Sequence, residues 1–116
     1  MYFIKINFAF IGCGKIALEH ARVVNSLGHR IILCHTKSEN SRNWRIFKEK
    51  NPKTKYVKKL NHILSDKKID FIVVCISWDQ IKRILPILLS SNKLMLIEKP
   101  IAFEVDFLKK LLMIKN

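Results

Sequence analysis

Carboxylates are scarce in this chain: nine Asp and Glu face 22 Lys and Arg, giving a formal charge of +13 over 116 residues. Glycine and proline number only three each, which excludes collagen-like and low-complexity classes. Cysteine is also rare, at three. Cys13, Cys34 and Cys75 sit in or beside apolar runs, without CxxC or Cys/His spacing. They read as small buried hydrophobes of a reduced protein, with no disulfide framework and no metal site. Long hydrophobic runs are missing too. No stretch reaches the roughly 18–20 residues needed to span a bilayer, and the uncharged stretch before Cys13 is too short for a signal core. A cytoplasmic location is expected.

Apolar residues make up 49% of the chain, enough for a core and too many for disorder to dominate. The length fits one domain, residues 1–116. The positive charge invites a nucleic-acid reading. Yet Lys, Asn and Ile together supply 42 of the 116 residues, a compositional bias that raises charge without specifying a partner. Residues 53–59 form the densest basic run, with Tyr56 its one aromatic. No helix-turn-helix or RNA-binding signature accompanies it, so it reads as a solvated face and nucleic acid as an unlikely partner.

Strand-like and helix-like segments alternate along the chain. Residues 5–11 form a short apolar run ending in Gly-Cys-Gly, as a buried strand would. Residues 15–27 place Ala17, Ala21 and Val24 on one helical stripe, and Gly28 follows as a C-terminal stop. Residues 30–34 give a second strand. Ser41 then caps a short helix carrying Trp44 and Phe47, and residues 55–57 give a brief third strand. A helical turn at 60–64 precedes the fourth strand, 71–76. Ser77-Trp78-Asp79-Gln80 has the form of a capping box opening a helix with Ile81, Ile84, Leu85 and Leu88 on one face, interrupted by Pro86. Residues 94–97 form a fifth strand, and Phe107, Leu108, Leu111 and Leu112 stripe a last helix. Apolar strands alternating with helices predict an α/β fold, a doubly wound parallel sheet of about five strands. Its ligands belong at the carboxyl ends of the strands.

Gly12-Cys13-Gly14-Lys15-Ile16-Ala17 lies at such an end. A G-x-G-x-x-A motif between strand and helix has a physical rationale. Gly12 permits the tight turn, Gly14 lets backbone approach a pyrophosphate, and Ala17 lets the helix pack close to the strand. The helix N-terminus offers unpaired N–H groups and the positive end of its dipole. The competing reading is a tight turn that binds nothing. Dinucleotide-binding sequences commonly carry an acidic residue after the second strand, to hold ribose hydroxyls. Here the sequence runs Cys34-His35-Thr36-Lys37-Ser38, with no carboxylate before Glu39. Thr36, Lys37 and Ser38, with Arg42 nearby, suit a 2′-phosphate and lean the cofactor from NAD towards NADP. Ordinary solvated loop residues are the alternative. Glu98-Lys99-Pro100 closes the fifth strand on the same edge. Pro100 restricts Lys99, and a lysine held over a cleft can orient a cofactor or exchange a proton with a substrate hydroxyl.

Taken together, Phe10–Ala17 with His20, Ile69-Asp70-Phe71-Ile72-Val73-Val74, and Ile97-Glu98-Lys99-Pro100-Ile101-Ala102 resemble the Rossmann-like nucleotide-binding domain of the glucose–fructose oxidoreductase/inositol dehydrogenase (Gfo/Idh/MocA) family. The resemblance covers nearly the whole chain, and Glu-Lys-Pro at this distance from the glycines is its specific part. It implies NAD(P)-dependent oxidation or reduction of a sugar, cyclitol or related carbonyl compound. It implies, too, that Gly12, Cys13, Gly14, Lys15, Ile16, Ala17, Ser77 and Glu98 contact the cofactor, and that Lys99 lies by the nicotinamide and the substrate as the catalytic residue.

Two departures stand out. Ile76-Ser77-Trp78-Asp79-Gln80-Ile81 has neither the Thr-Pro-Asn nor the following His common in the family. The chain also stops one helix after Lys99, before a sixth strand and before the family's second, substrate-binding domain. It is therefore expected to be truncated and inactive alone, with an exposed sheet edge that invites a second chain or self-association. A non-catalytic nucleotide-binding module is the alternative, and a basic nucleic-acid-binding domain a weaker one. The remaining candidates read quietly: His20 as a packed or capped helical residue, His29, His35 and His62 without a catalytic role, and Trp78 as a hydrophobic plug or a base-stacking ring.

Overall fold

The computed structural model describes residues 4–98. Lys99, Pro100 and the expected last helix lie outside the described residues. The order of elements is β1 (Asn7–Ile11), α1 (Lys15–Ser26), β2 (Arg30–His35), α2 (Arg42–Lys50), β3 (Lys55–Tyr56), α3 (Asn61–Leu64), β4 (Phe71–Val74), α4 (Trp78–Leu89) and β5 (Leu94–Ile97). The strands form one sheet in the order β3-β2-β1-β4-β5, and every pairing is parallel. The chain winds outward from β1 to β3, then returns to the other side of β1 with β4. The point of reversal lies between β1 and β4, where open α/β sheets leave a crevice at the strand ends.

Strand side chains divide between two faces with period two. Ala9, Ile11, Ile72 and Val74 pack on one face with Ile63 of α3 and Ile81, Leu85 and Leu88 of α4. Phe10 and Val73 point to the other, against Ala17, Ala21 and Val24 of α1 and Trp44 and Phe47 of α2. Each face thus has its own helical cover, which is why the strands are apolar without alternation.

Local signals explain most boundaries. Ser41 accepts a hydrogen bond from the Trp44 N–H at 3.2 Å and caps α2, satisfying one of the donors every helix leaves unpaired at its start. α1 ends at Ser26 with Leu27 as its C-cap, followed by Gly28 at φ 82°, a conformation that suits glycine. Pro86 sits inside α4, and the burial of Ile81, Leu85 and Leu88 carries the helix past it. Strand β4 stops at Val74, short of the expected residue 76: the Cys75 N–H still donates to Ile11 O, but the Cys75 carbonyl and the Ile76 side chain lie over Gly12.

The capping box at Ser77 does not form. Ser77 occupies the N-cap position with extended backbone, but its side chain caps nothing. Ser77 is exposed on a cavity wall, where water competes for its hydroxyl. On β5, Met95 and Ile97 pack into the core, whereas Leu94 and Leu96 are 69% and 42% exposed.

Phe47 is fully buried and its ring lies 5.5 Å from that of Phe10, so it joins α2 to the sheet. Phe47→Ala is expected to lower stability by about 3–5 kcal/mol. Equilibrium urea unfolding of the variant beside the wild type would check this.

Candidate functional site

The loop after β1 is shaped by one close approach. Gly12 has φ 96°, and a Cβ there would lie 2.2 Å from the Cys75 carbonyl oxygen. Both conditions demand glycine. The loop is pinned by hydrogen bonds from Gly12 N–H to His35 O and from Cys75 N–H to Ile11 O, each 2.8 Å. Gly14 is different. Its φ is −77°, and a Cβ would meet nothing nearer than the Asn43 amide at 3.8 Å. Space is kept open above it, as a backbone approach to a ligand requires. Ala17 is fully buried, so α1 comes close to the sheet.

Gly14 caps α1 without a side-chain hydrogen bond, and no acidic residue lies in the first turn. The first N–H groups of the helix are therefore left for a ligand. Lys15 adds a cation at the positive end of the dipole, unfavourable for the helix by itself and favourable once an anion binds.

A cavity of about 260 Å³ opens beside this helix start. It is lined by Gly14, Lys15, Ile16, Ala17, Cys75, Ile76, Ser77 and Glu98. A second cavity, of about 400 Å³, is lined by Ile11, His35, Thr36, Lys37, Ile76, Gln80, Arg83 and Ile84. Ile76 lines both, so the two adjoin across the carboxyl ends of the strands, at the sheet's point of reversal, as the two halves of a trough. The trough gathers the expected residues Gly14, Lys15, Ile16, Ala17, Thr36, Lys37, Ser77 and Glu98. The Tyr56 hydroxyl donates to Thr36 O at 3.1 Å and holds that loop.

Four expected residues stand apart; the first is Gly12, buried beneath the Cys75 carbonyl and lining neither cavity. Ser38 lies outside both cavities and accepts a hydrogen bond from the Asn40 N–H within its own loop. Cys13 is 3% exposed, packs its side chain in the core and lines neither cavity. Lys99, as noted, is beyond the described residues. The cysteines are all free thiols. Cys13 is lowered to about 7, chiefly by a hydrogen bond with Cys34 and also by one with Thr36, against the opposing effect of burial. Cys34 is correspondingly pushed up by its bond to Cys13 and by burial. Burial and the nearby Glu98 raise Cys75 to about 12.

Two features of the site had no local sequence signal. Arg83 of α4 lines the same half of the trough as Lys37, 46 positions away in sequence. His20 of α1 pairs through Nε2 with the Glu98 carboxylate after β5. Only the sheet order brings these partners together. His29 and His35 have structural roles: His29 Nδ1 accepts from the Ile6 N–H at 3.0 Å, and His35 Nδ1 lies 3.0 Å from Val57 O. Trp78 packs at the margin of the core.

A larger cavity, about 520 Å³, lies at the opposite edge, among Lys5, Asn25, Arg30, Lys50, Lys53 and Thr54. The ends of α1 and α2 meet there, and cations suit helix C-termini. The Asn25 amide donates to Asn51 and Thr54 donates to Ile31 O, so its polar floor is used internally. Among the described residues no group of three His, Cys, Asp or Glu is placed to hold a metal. None of their helices is long and apolar enough to cross a membrane.

The sequence model of the Gfo/Idh/MocA oxidoreductase family, covering its NAD-binding Rossmann fold, matches residues 6–115. The chain belongs to this family. A search of curated proteins by sequence finds no match. Solved structures share the fold. GenD2 from gentamicin A biosynthesis, determined with NAD, is 18% identical with a TM-score of 0.80 over 96% of this chain and 31% of its own. The WlbA dehydrogenase of Chromobacterium violaceum, determined with NADH and UDP-GlcNAcA, is 17% identical with a TM-score of 0.78, covering 95% of this chain and 32% of its own. WlbA of Bordetella pertussis, with the same ligands, is 15% identical with a TM-score of 0.79, covering 99% and 34%. The present chain therefore spans about a third of the length of the structures it matches. A family NAD-binding fold and a trough at the point of sheet reversal thus coincide.

The contrast between the two glycines is testable. Gly12→Ala should destabilise the fold by more than about 3 kcal/mol, from backbone strain and the clash with Cys75. Gly14→Ala should cost no more than about 1 kcal/mol. Urea denaturation of the two variants would show whether the order holds.

Proposed function

We propose that residues 1–116 form a dinucleotide-binding domain of an oxidoreductase acting on a sugar, cyclitol or related carbonyl compound, with NADP(H) preferred to NAD(H). The observation that carries this reading is the trough, with a free helix N-terminus in one half and two cations in the other. A dinucleotide fits its chemistry. The pyrophosphate would lie at the N–H groups of Lys15, Ile16 and Ala17, over the open face of Gly14. The adenosine half would lie between Thr36–Lys37 and α4, where Lys37 and Arg83 supply charge for a 2′-phosphate and, among the described residues, no carboxylate lines the cavity to repel it. Exposed Ile16 and half-buried Ile76 give apolar surface for the rings.

When bound, the nicotinamide supplies hydride transfer. The chain's own residues bind and orient it, and Lys99, following Glu98 directly, would serve the nicotinamide end and exchange a proton with the substrate. Most of a substrate pocket would come from polypeptide beyond these residues, and this chain alone is expected not to turn over. Leu94 and Leu96, exposed on β5, offer apolar surface for a second chain or for self-association. Three free thiols, two of them buried, favour a cytoplasmic setting.

Fluorescence titration with NADPH and NADH tests the reading. NADPH should bind at least about tenfold tighter, and Lys37→Glu or Arg83→Glu should each weaken NADPH by roughly tenfold or more. That follows from the worth of a charge-assisted contact. NADH affinity should stay within about twofold. A folded chain that binds neither nucleotide overturns the proposal, and equal affinities overturn the NADP preference.

A further inference from the structure

Glu98 raises a question of charge. It is a carboxylate on the wall of the cavity that also holds the start of α1, where the reading above places the cofactor's pyrophosphate. Free helix N–H groups and the positive dipole end attract any anion, a protein carboxylate included. Among the described residues Glu98 is the one carboxylate lining either half of the trough. Left mobile, it is a built-in competitor for the phosphate position.

The structure ties it down twice. Its main chain continues the ladder with β4, the Glu98 N–H donating to Val74 O at 3.0 Å. Its side chain pairs with His20 Nε2. His20 stands on the second turn of α1, past the N–H groups of Lys15, Ile16 and Ala17 that form the anion site, and one turn is about 5.4 Å along the axis. The pair is only partly exposed, at 29% and 33% for the two side chains, so water screens it incompletely.

We infer that His20 is a positioning residue: it holds the Glu98 carboxylate along the flank of α1 and away from the helix start, keeping the phosphate position open. The inference rests on the proposed dinucleotide site and adds a requirement to it. Residues at the phosphate position are not enough, because the neighbouring anion has to be held elsewhere. His20 needs no contact with the cofactor for this. A donor at that place on the helix suffices.

The test uses the whole chain, NADPH titrated by fluorescence, and unfolding curves on every variant. His20→Ala should weaken NADPH about tenfold. His20→Gln, which keeps an N–H donor, should hold affinity within about threefold. Removing the competing charge as well, in His20→Ala with Glu98→Gln, should recover most of the lost affinity. A residue that merely stabilised the fold would give a double variant no better than His20→Ala. That result overturns the inference, as does a His20→Ala variant that binds like the wild type. Loss of NADPH binding in the wild type would instead overturn the dinucleotide site itself, and the inference with it.

Discussion

The approach of the β1 and β4 ends to each other governs the rest of this molecule. Gly12 lies under the Cys75 carbonyl so closely that no side chain fits between them, and this lets the chain leave β1 sharply enough to start α1 three residues later. The same contact sets the Cys75 carbonyl and the Ile76 side chain over the loop just past β4. Ile76 thereby becomes the shared wall of both halves of the trough. The site is thus a consequence of how parallel strands meet at the reversal of a doubly wound sheet. Its position owes little to any one functional side chain.

Electrostatics then divides the molecule into two ends. At the carboxyl edge, an uncapped α1 with Lys15 in its first turn, together with Lys37 and Arg83, collects positive potential at a concave surface. At the opposite edge, cations meet the carbonyl-rich ends of helices and turns. Lys48 donates to Pro52 O and Thr54 O, and Lys93 to Asp66 O and Ile69 O. Part of the excess charge of this chain is therefore spent on its own backbone. This accounts for a strongly basic protein whose architecture is that of a nucleotide-binding family and not of a nucleic-acid-binding one.

Much of this could be read from the residues in order. The stripe of Ala17, Ala21 and Val24, the Ser41 cap and the apolar β1 and β4 segments are local patterns, and each produced the expected element. So did the glycine motif, whose chemistry is carried by main chain within a few residues. The sequence misled where solvent or a distant segment decides the outcome. The capping box at Ser77 has the right letters, but the hydroxyl is left on an open wall. Residues 75–76 look like strand because Cys and Ile suit one, yet the Cys75 carbonyl and the Ile76 side chain lie over Gly12. Arg83 and the His20–Glu98 pair could not be found by spacing, since their partners lie 46 and 78 positions away and meet only once the strand order is known. Cys13 was legible as part of the motif, though its side chain belongs to the core.

The central claim is that one trough, at the carboxyl edge, receives the cofactor. Amide chemical-shift mapping of the isotope-labelled chain during NADPH addition addresses it directly. The account predicts that the perturbed amides cluster at Gly14, Lys15, Ile16 and Ala17, at Thr36 and Lys37, and at Ser77, Arg83 and Glu98. Perturbations centred on Asn25, Lys50, Lys53 and Thr54 at the far edge, or none at saturating nucleotide, would contradict it.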